Sequence, residues 1–151
     1  MLRRQLESEG FQVLLAGTGE DALWLAKEAQ PQLITLDIML PDIDGFTVLE
    51  RLKRNPMTSA VPVVIVSVLA ESEKGFALGA VDYVVKPFVE QELLDIVHRA
   101  LSYLGPGRPQ RLVVADDDLE VLARMEKHLH SMATRFGPPR MGRRLWLEHR
   151  R

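Results

Sequence analysis

The sequence predicts an α/β fold in which a parallel sheet is covered by helices on both faces. Short apolar runs alternate along the chain with amphipathic helical stripes. The runs are apolar at successive positions, which is typical of parallel strands that are buried on both faces. The chain has 151 residues, of which 46% are hydrophobic and 26% charged, and this is enough for one globular core.

The elements begin with a helical end at residues 1–9, where leucines stand four apart and Gly10 suits a C-terminal cap. The apolar run at 11–16 has the length of a strand. The stretch Thr18-Gly19-Glu20-Asp21 has the spacing of a capping box, so it predicts a helix that continues to about Ala29.

The middle of the chain repeats this alternation. Residues 33–37 predict a strand that is apolar until Asp37, and a helical stripe then runs from Phe46 to the residues before Pro56. The β-branched run at 61–66 predicts a third strand. A short helix at 71–78, a fourth strand at 82–85 and a helix at 93–104 follow.

The last part of the chain is predicted to contain a strand and a helix like those that begin a domain of this kind. A fifth strand is predicted at 112–115, and it runs directly into Asp116-Asp117-Asp118 and a helix at 119–132. Residues 2–9 align with residues 125–132 in their apolar positions and in one serine. We therefore expect the chain to start inside the first helix of a domain whose opening strand and helix recur at 111–132.

Polar residues stand where three of the predicted strands end: Asp37, Ser67 and Lys86. The carboxyl ends of parallel strands meet at one edge of a sheet, and ligands bind there in open α/β sheets. We therefore expect these three side chains to converge on one site.

Three stretches resemble the response-regulator receiver family in order and spacing. They are residues 33–45 (LITLDIMLPDIDG), 62–67 (PVVIVS) and 79–88 (GAVDYVVKPF). The resemblance covers residues 1–104 and implies a doubly wound, flavodoxin-like parallel sheet of five strands in the order 2-1-3-4-5. Residues 66–80 resemble receivers within large hybrid sensor kinases. The family's first strand, which carries an acidic pair, is missing before residue 11, and residues 111–117 resemble it.

The resemblance implies a phosphoacceptor and a metal site. Asp37 matches the phosphoacceptor position, and Asp116 and Asp117 match the acidic pair that holds Mg²⁺ together with Asp37. The backbone carbonyl of Met39 is implied as a further ligand. Magnesium suits such a site because it takes a few oxygen ligands and keeps several waters.

The resemblance also assigns three supporting residues. Lys86 would pair with the phosphoryl oxygens, and Ser67 would donate a hydrogen bond to one of them. Tyr83 matches an aromatic position that, together with Ser67, reports phosphorylation to partner proteins. The sequence departs from the family pattern at Val68, Val81 and Leu119, and none of these departures removes a reacting group, so the displaced acidic strand is the main departure.

The predicted organisation has four parts: a receiver body without its first strand (1–104), a linker (105–110), a first-strand and first-helix segment (111–132) and a basic tail (133–151). We expect residues 111–117 to fill the gap in the sheet of the same chain, as in a circular permutation. Exchange of this segment between two chains, giving a homodimer, is the second arrangement. In the third arrangement the segment is only the start of a following receiver.

Charge is distributed unevenly. The tail has six arginines against one acid, a formal charge of +5, which leaves -7 on the rest of a chain whose total is -2. An acidic body argues against nucleic-acid binding by the core. We expect the tail to be irregular, because Gly137-Pro138-Pro139 blocks a helix and no strand is predicted after it.

The function predicted from these features is that of a two-component receiver that accepts a phosphoryl group from a histidine kinase or phosphotransfer protein, with at most slow autophosphatase activity. The alternative is a pseudo-receiver that acts as an interaction scaffold. An aspartate-based magnesium phosphatase is disfavoured because Met39 stands where such enzymes commonly have a second carboxylate. The chain has no cysteine, no apolar signal region and no run long enough to span a membrane, so we expect a cytoplasmic location.

Overall fold

The structure, a computed structural model, describes residues 11–102, 110–131 and 139–141. Its strands are β1 (Phe11–Ala16), β2 (Leu33–Leu36), β3 (Val63–Ser67), β4 (Asp82–Val85), β5 (Gln110–Ala115) and β6 (Pro139–Met141). Its helices are α1 (Gly19–Ala29), α2 (Gly45–Arg54), α3 (Ser72–Ala77), α4 (Glu90–Leu101) and α5 (Leu119–Ser131). Every strand and helix predicted within these ranges is present. The predicted helix at 1–9 and most of the predicted linker lie outside the described residues.

The strands form one parallel sheet in the order β4-β3-β2-β5-β1-β6. Strand β5 lies between β1 and β2, and it pairs with all six residues of β1 and with four residues of β2. The five predicted strands therefore have the predicted order, and the late segment of the chain occupies the centre of its own sheet.

The tail differs from its prediction. We expected no strand after Pro139, but Pro139–Met141 pairs in parallel with Phe11–Val13 as a sixth, outer strand. A proline is tolerated here because it is the first residue of an edge strand, where a missing N–H removes no essential ladder bond. A Gly-Pro-Pro run interrupts helices and central strands, but it does not prevent a short strand at the edge of a sheet.

The sheet has helices packed on both faces, as predicted. On β5, Val113 and Ala115 belong to the layer beneath α1 and α2. Its alternate residues, Leu112 and Val114, belong to the opposite layer with α4 and α5. Because successive side chains of a strand point to opposite faces, β5 supports both layers of the core. No helix in the described ranges is long and apolar enough to cross a membrane.

The start of α1 is tied to the loop that follows β2. The Thr18 side chain caps the helix by accepting the Asp21 N–H at 3.1 Å. The next orphan donors, the N–H groups of Gly19 and Glu20, donate to Asp42 Oδ1 at 2.7 Å and Oδ2 at 2.9 Å. Partial burial acts to raise the pKa of Asp42, but the hydrogen bonds from these backbone N–H groups outweigh it and lower the pKa below the usual value of 3.8. The Asp42 carboxylate therefore fixes the β2–α2 loop against a neighbouring helix.

We expect the substitution Thr35→Val to raise the free energy of unfolding by about 1 kcal/mol. Thr35 is 2% exposed, it pairs across the sheet with Val64 and Val114, and no group in the described ranges forms a hydrogen bond with its hydroxyl. Valine keeps the shape and removes the unpaired polar group. Urea denaturation measures the change. The matched control is Thr58→Val, since the equally buried Thr58 hydroxyl donates to the Leu52 carbonyl at 2.7 Å. The control should destabilise, and a loss of stability in both variants would contradict the expectation.

Replacing Asp42 by alanine should lower the free energy of unfolding by about 1 kcal/mol at neutral pH, because two N–H groups of α1 lose their acceptor. The folded-state pKa of Asp42 is lowered, so its contribution is complete above the ordinary value of 3.8 and is lost as the pH falls through the folded-state pKa. Denaturation curves at pH 7 and near pH 3 should therefore show a gap between wild type and variant that narrows in acid. The control is Asp95→Ala, since the one hydrogen bond of this side chain within the described residues comes from the exposed Gln91 side chain, and it should change little at either pH. A gap that widens in acid would count against this account.

Candidate functional site

Three strand ends bring Asp37, Asp116 and Lys86 together. Asp37 follows β2, Asp116 follows β5 and Lys86 follows β4. The Asp37 N–H donates to the carbonyl of Ala115 at 2.9 Å, and the Asp116 N–H donates to the carbonyl of Ala16 at 2.9 Å. These bonds continue the sheet ladder one residue beyond the strands, so the backbone that carries both carboxylates is as fixed as the sheet itself.

The Lys86 ammonium joins the two carboxylates. Its Nζ lies 3.0 Å from Asp37 Oδ2 and 2.5 Å from Asp116 Oδ2. The side chains of Lys86, Asp37 and Asp116 are only 12%, 6% and 2% exposed. A buried charge is tolerated only with a partner, so each group depends on the other two.

The pKa values of this trio reflect the same balance. Burial acts to lower the pKa of Lys86, but its hydrogen bonds with Asp116 and Asp37 outweigh that effect and raise it above the usual value. Burial raises the pKa of Asp116, and the nearby negative charge of Asp37 adds to the rise, although Lys86 opposes it. The site therefore holds negative charge at an energetic cost that one lysine offsets only in part.

The carboxylates fit a divalent cation. Asp37, Asp116 and Asp117 each place an oxygen within 4.8 Å of the others, and Asp117 is exposed. When all three are ionised, the one positive charge of Lys86 leaves a net charge of -2, which a single Mg²⁺ would balance. Carboxylate oxygens are hard donors of the kind that Mg²⁺ prefers over nitrogen or sulfur. The predicted metal residues Asp37, Asp116 and Asp117 are therefore brought together.

The loop after β2 is shaped by a close backbone approach. The Met39 N–H donates to Asp37 Oδ1 at 3.1 Å, which orients the carboxylate from its own loop. The Gly45 N–H donates to the carbonyl of Ile38 at 2.7 Å. A Cβ at position 45 would overlap the Asp37 carbonyl and lie 2.5 Å from the Ile38 Cα. Only glycine allows α2 to start this close to the loop that holds Asp37.

Ser67 and Tyr83 contact the loop that follows β3. Ser67 is fully buried, and its Oγ accepts the Leu69 N–H at 3.4 Å. The Tyr83 hydroxyl donates to the Leu69 carbonyl and accepts the Glu71 N–H at 3.4 Å. Burial raises the pKa of Tyr83, so this hydroxyl stays protonated and able to donate at neutral pH. Both side chains hold one loop, and their role as a switch stays a prediction.

Sequence reasoning assigned no role to Asp42, Gly45 or Lys74. Asp42 acts across 22 and 23 positions of sequence, and a lone loop aspartate carries no signal for so distant a partner. The Asp44-Gly45 pair before a helix is the signal that could have indicated the close approach at Gly45. Lys74 lines the same cavity as Asp37, but on sequence it is an ordinary helix lysine.

Comparison with known proteins places these residues in a family context. Residues 1–98 match the family model of the response regulator receiver domain. The phosphate regulon transcriptional regulatory protein PhoB of Rhizobium meliloti is 34% identical over 144 residues, covering 91% of this chain and 62% of PhoB. The DNA-binding dual master transcriptional regulator RpaA of Synechocystis is 39% identical over 120 residues, covering 78% of this chain and 48% of RpaA. The chain thus spans about half to three fifths of the length of these two regulators.

Solved structures give the same result. The non-phosphorylated receiver domain of HemR from Leptospira biflexa has a TM-score of 0.58 and 30% identity, covering 70% of this chain and 86% of that one. The receiver domain of the sensor histidine kinase PA1611 from Pseudomonas aeruginosa has a TM-score of 0.55 and 27% identity, covering 67% of this chain and 85% of that one. That structure holds a magnesium ion in its active site cleft. The likeness to hybrid kinases in particular stays a prediction. The chain belongs to the response regulator receiver domain family.

Proposed function

We propose that this chain is a phosphoacceptor module of a two-component phosphorelay, with Asp37 as the acceptor. The observation that supports the proposal most directly is the sharing of one lysine by Asp37 and Asp116, with Asp117 within reach of the same ion. The donor we propose is the phosphohistidine of a histidine kinase or phosphotransfer protein, the partners with which receiver domains interact.

In the proposed reaction a carboxylate oxygen of Asp37 attacks the phosphorus of the phosphohistidine. An O–P bond forms, the N–P bond breaks, and the imidazole nitrogen leaves with the bonding pair. Slow hydrolysis reverses the modification when water attacks the phosphorus and inorganic phosphate departs. Because the carboxylate is fixed by the Met39 N–H and by Lys86, little reorganisation precedes the attack.

We assign the metal ligands to Asp37, Asp116 and Asp117, with the backbone carbonyl of Met39 as a further ligand by family resemblance. A bound Mg²⁺ would offset the repulsion between the Asp37 carboxylate and the incoming phosphoryl group. Lys86 then pairs with a phosphoryl oxygen in place of the Asp37 carboxylate oxygen that it contacts before transfer. The family resemblance is the basis for the roles we propose for Ser67, which would donate a hydrogen bond to a phosphoryl oxygen, and for Tyr83, which would report phosphorylation together with Ser67. Their contacts with the loop after β3 support these roles, because a phosphoryl group at Asp37 would add negative charge near that loop.

We further propose that β5 is the family's first strand, supplied from residues 110–115 of the same chain. Arg111 supports this arrangement, since its Nη1 donates to the Ala29 carbonyl at 2.8 Å and its backbone carbonyl accepts the Gln32 N–H at 2.8 Å. Without β5, the facing edges of β1 and β2 would lack partners at about 1–3 kcal/mol for each buried group left unpaired.

Incubation with acetyl phosphate and Mg²⁺ should add the mass of one phosphoryl group to the intact protein, and Asp37→Asn should abolish the addition because the nucleophile is lost. Intact-protein mass spectrometry provides the measurement. Chelation of the divalent cation should also prevent the addition.

The control is Asp44→Asn, which lies in the same cavity but caps α2 through the Phe46 N–H at 2.8 Å. It should remain competent, since asparagine also caps helices. A wild-type protein that is folded and takes up no phosphoryl group would replace this proposal with the scaffold alternative.

Mixing two inactive full-length variants distinguishes a strand supplied within the chain from a strand exchanged between chains. Asp37→Asn lacks the acceptor, and Asp116→Asn with Asp117→Asn lacks the acidic pair. If each chain fills its own sheet, unfolding and refolding the two variants together should give no phosphorylated protein. Co-refolded wild type is the positive control, and phosphorylation of the mixture would instead establish a dimer with exchanged segments.

A further inference from the structure

The cavity beside Asp37 is strongly acidic. It has a volume of about 730 Å³, and its lining includes six acidic side chains but only two lysines, Lys74 and Lys86. A phosphorylated donor is itself an anion, so it enters this cavity against net repulsion. With the proposed Mg²⁺ bound, two lysines and one divalent ion still leave a formal charge of -2 against the six carboxylates. The donor is therefore still repelled unless a further cation meets it before it reaches Asp37.

Lys86 does not provide that cation in the resting site. Its ammonium is held between Asp37 and Asp116 at 3.0 and 2.5 Å. Releasing it would leave two buried carboxylates without their partner, which is costly in a poorly solvated environment. Lys86 is thus suited to act at the acceptor itself, once negative charge has passed to the transferred group.

Lys74 is placed differently. It belongs to α3, it is exposed, and its Nζ lies 4.4 Å from the centre of the Phe46 ring at the wall of the cavity. Within the described ranges no carboxylate forms an ion pair with it. An exposed cation over an aromatic face is held by only about 0.5–1 kcal/mol, whereas a phosphate oxygen offers it a charge-assisted hydrogen bond.

We propose that Lys74 binds the phosphate group of the incoming donor and recruits it to the cavity before transfer to Asp37. The inference rests on the proposed function. The contact with Phe46, a residue that is 5% exposed, places the ammonium at the cavity wall. Lys74 is a donor-binding residue for the encounter, and Lys86 is the partner of the transferred group.

The test measures the rate at which the full chain is phosphorylated by acetyl phosphate in Mg²⁺, where the donor O–P bond breaks, the Asp37 O–P bond forms and acetate leaves. At low ionic strength Lys74→Gln should lower the second-order rate constant about threefold to tenfold, and Lys74→Glu should lower it further. Lys74→Arg should restore most of the rate. High salt should bring the variants close to wild type, since exposed charges are screened.

Two further measurements separate donor binding from a structural role. The rate at which the phosphoryl group is lost after donor removal should not change in any Lys74 variant, because Lys74 acts before transfer. Phosphoramidate carries less negative charge than acetyl phosphate at neutral pH. The Lys74 substitutions should therefore lower the rate of phosphorylation by phosphoramidate less than the rate by acetyl phosphate. The matched control is Lys27→Glu, the same charge reversal at an exposed lysine of α1 outside the cavity.

The outcomes are distinct. Three results would overturn the recruitment role: a wild-type rate for Lys74→Gln, an equal loss of rate in Lys74→Glu and Lys27→Glu, or a loss of rate that neither high salt nor Lys74→Arg relieves. Lys74 would then have only a structural role in contact with Phe46. Phosphorylation that is absent in wild type overturns the proposed function itself and this inference with it. Phosphorylation that needs Asp37 but ignores Lys74 overturns only the inference.

Discussion

The site depends on one lysine placed between two buried carboxylates. Asp37 and Asp116 come from neighbouring strands at the centre of the sheet, and each is almost without solvent. Two such anions side by side are unfavourable, and Lys86 from the edge strand β4 makes the pair tolerable. The ammonium therefore links three strand ends, and the charge balance that it leaves is the one that suits a divalent ion.

Strand β5 links the folding of the sheet to the assembly of the site. Strand β5 provides Leu112 and Val114 to one layer of the core, Val113 and Ala115 to the other, and then Asp116 to the site. Its backbone also carries the acceptor for the Asp37 N–H. A sheet without β5 would lose its central ladder and its acidic pair together. The site is therefore complete only when the late segment of the chain is seated in the sheet.

Much of this arrangement was accessible from the sequence because it follows from local patterns. Strands buried on both faces are apolar at successive positions, and the polar residue that ends each one marks the functional edge, which located Asp37 and Lys86. The strand at β5 was predicted from an apolar run before an acidic run, and its position in the sheet came from the resemblance of residues 111–117 to the first strand of the receiver family. What the sequence did not reveal depends on distant contacts: the bond from α1 to Asp42, the close approach at Gly45 and the pairing of Pro139–Met141 with β1. Each of these contacts depends on a backbone segment that is distant in sequence, so the residues next to it in the chain do not predict it.

The three carboxylates also differ in freedom, and this difference is consistent with their proposed roles. Asp116 is fixed by Lys86 and by the Asp118 N–H at 3.0 Å, and Asp37 is fixed by Lys86 and its own loop. Asp117 is exposed, so its side chain can adjust its reach at little cost. A site that must admit an ion and then a phosphoryl group benefits from two rigid ligands that define the position and one adaptable ligand that closes the coordination. The burial pattern is therefore consistent with an acceptor, Asp37, whose side chain is already positioned before the reaction, and with a metal ligand, Asp117, that would adjust when an ion binds.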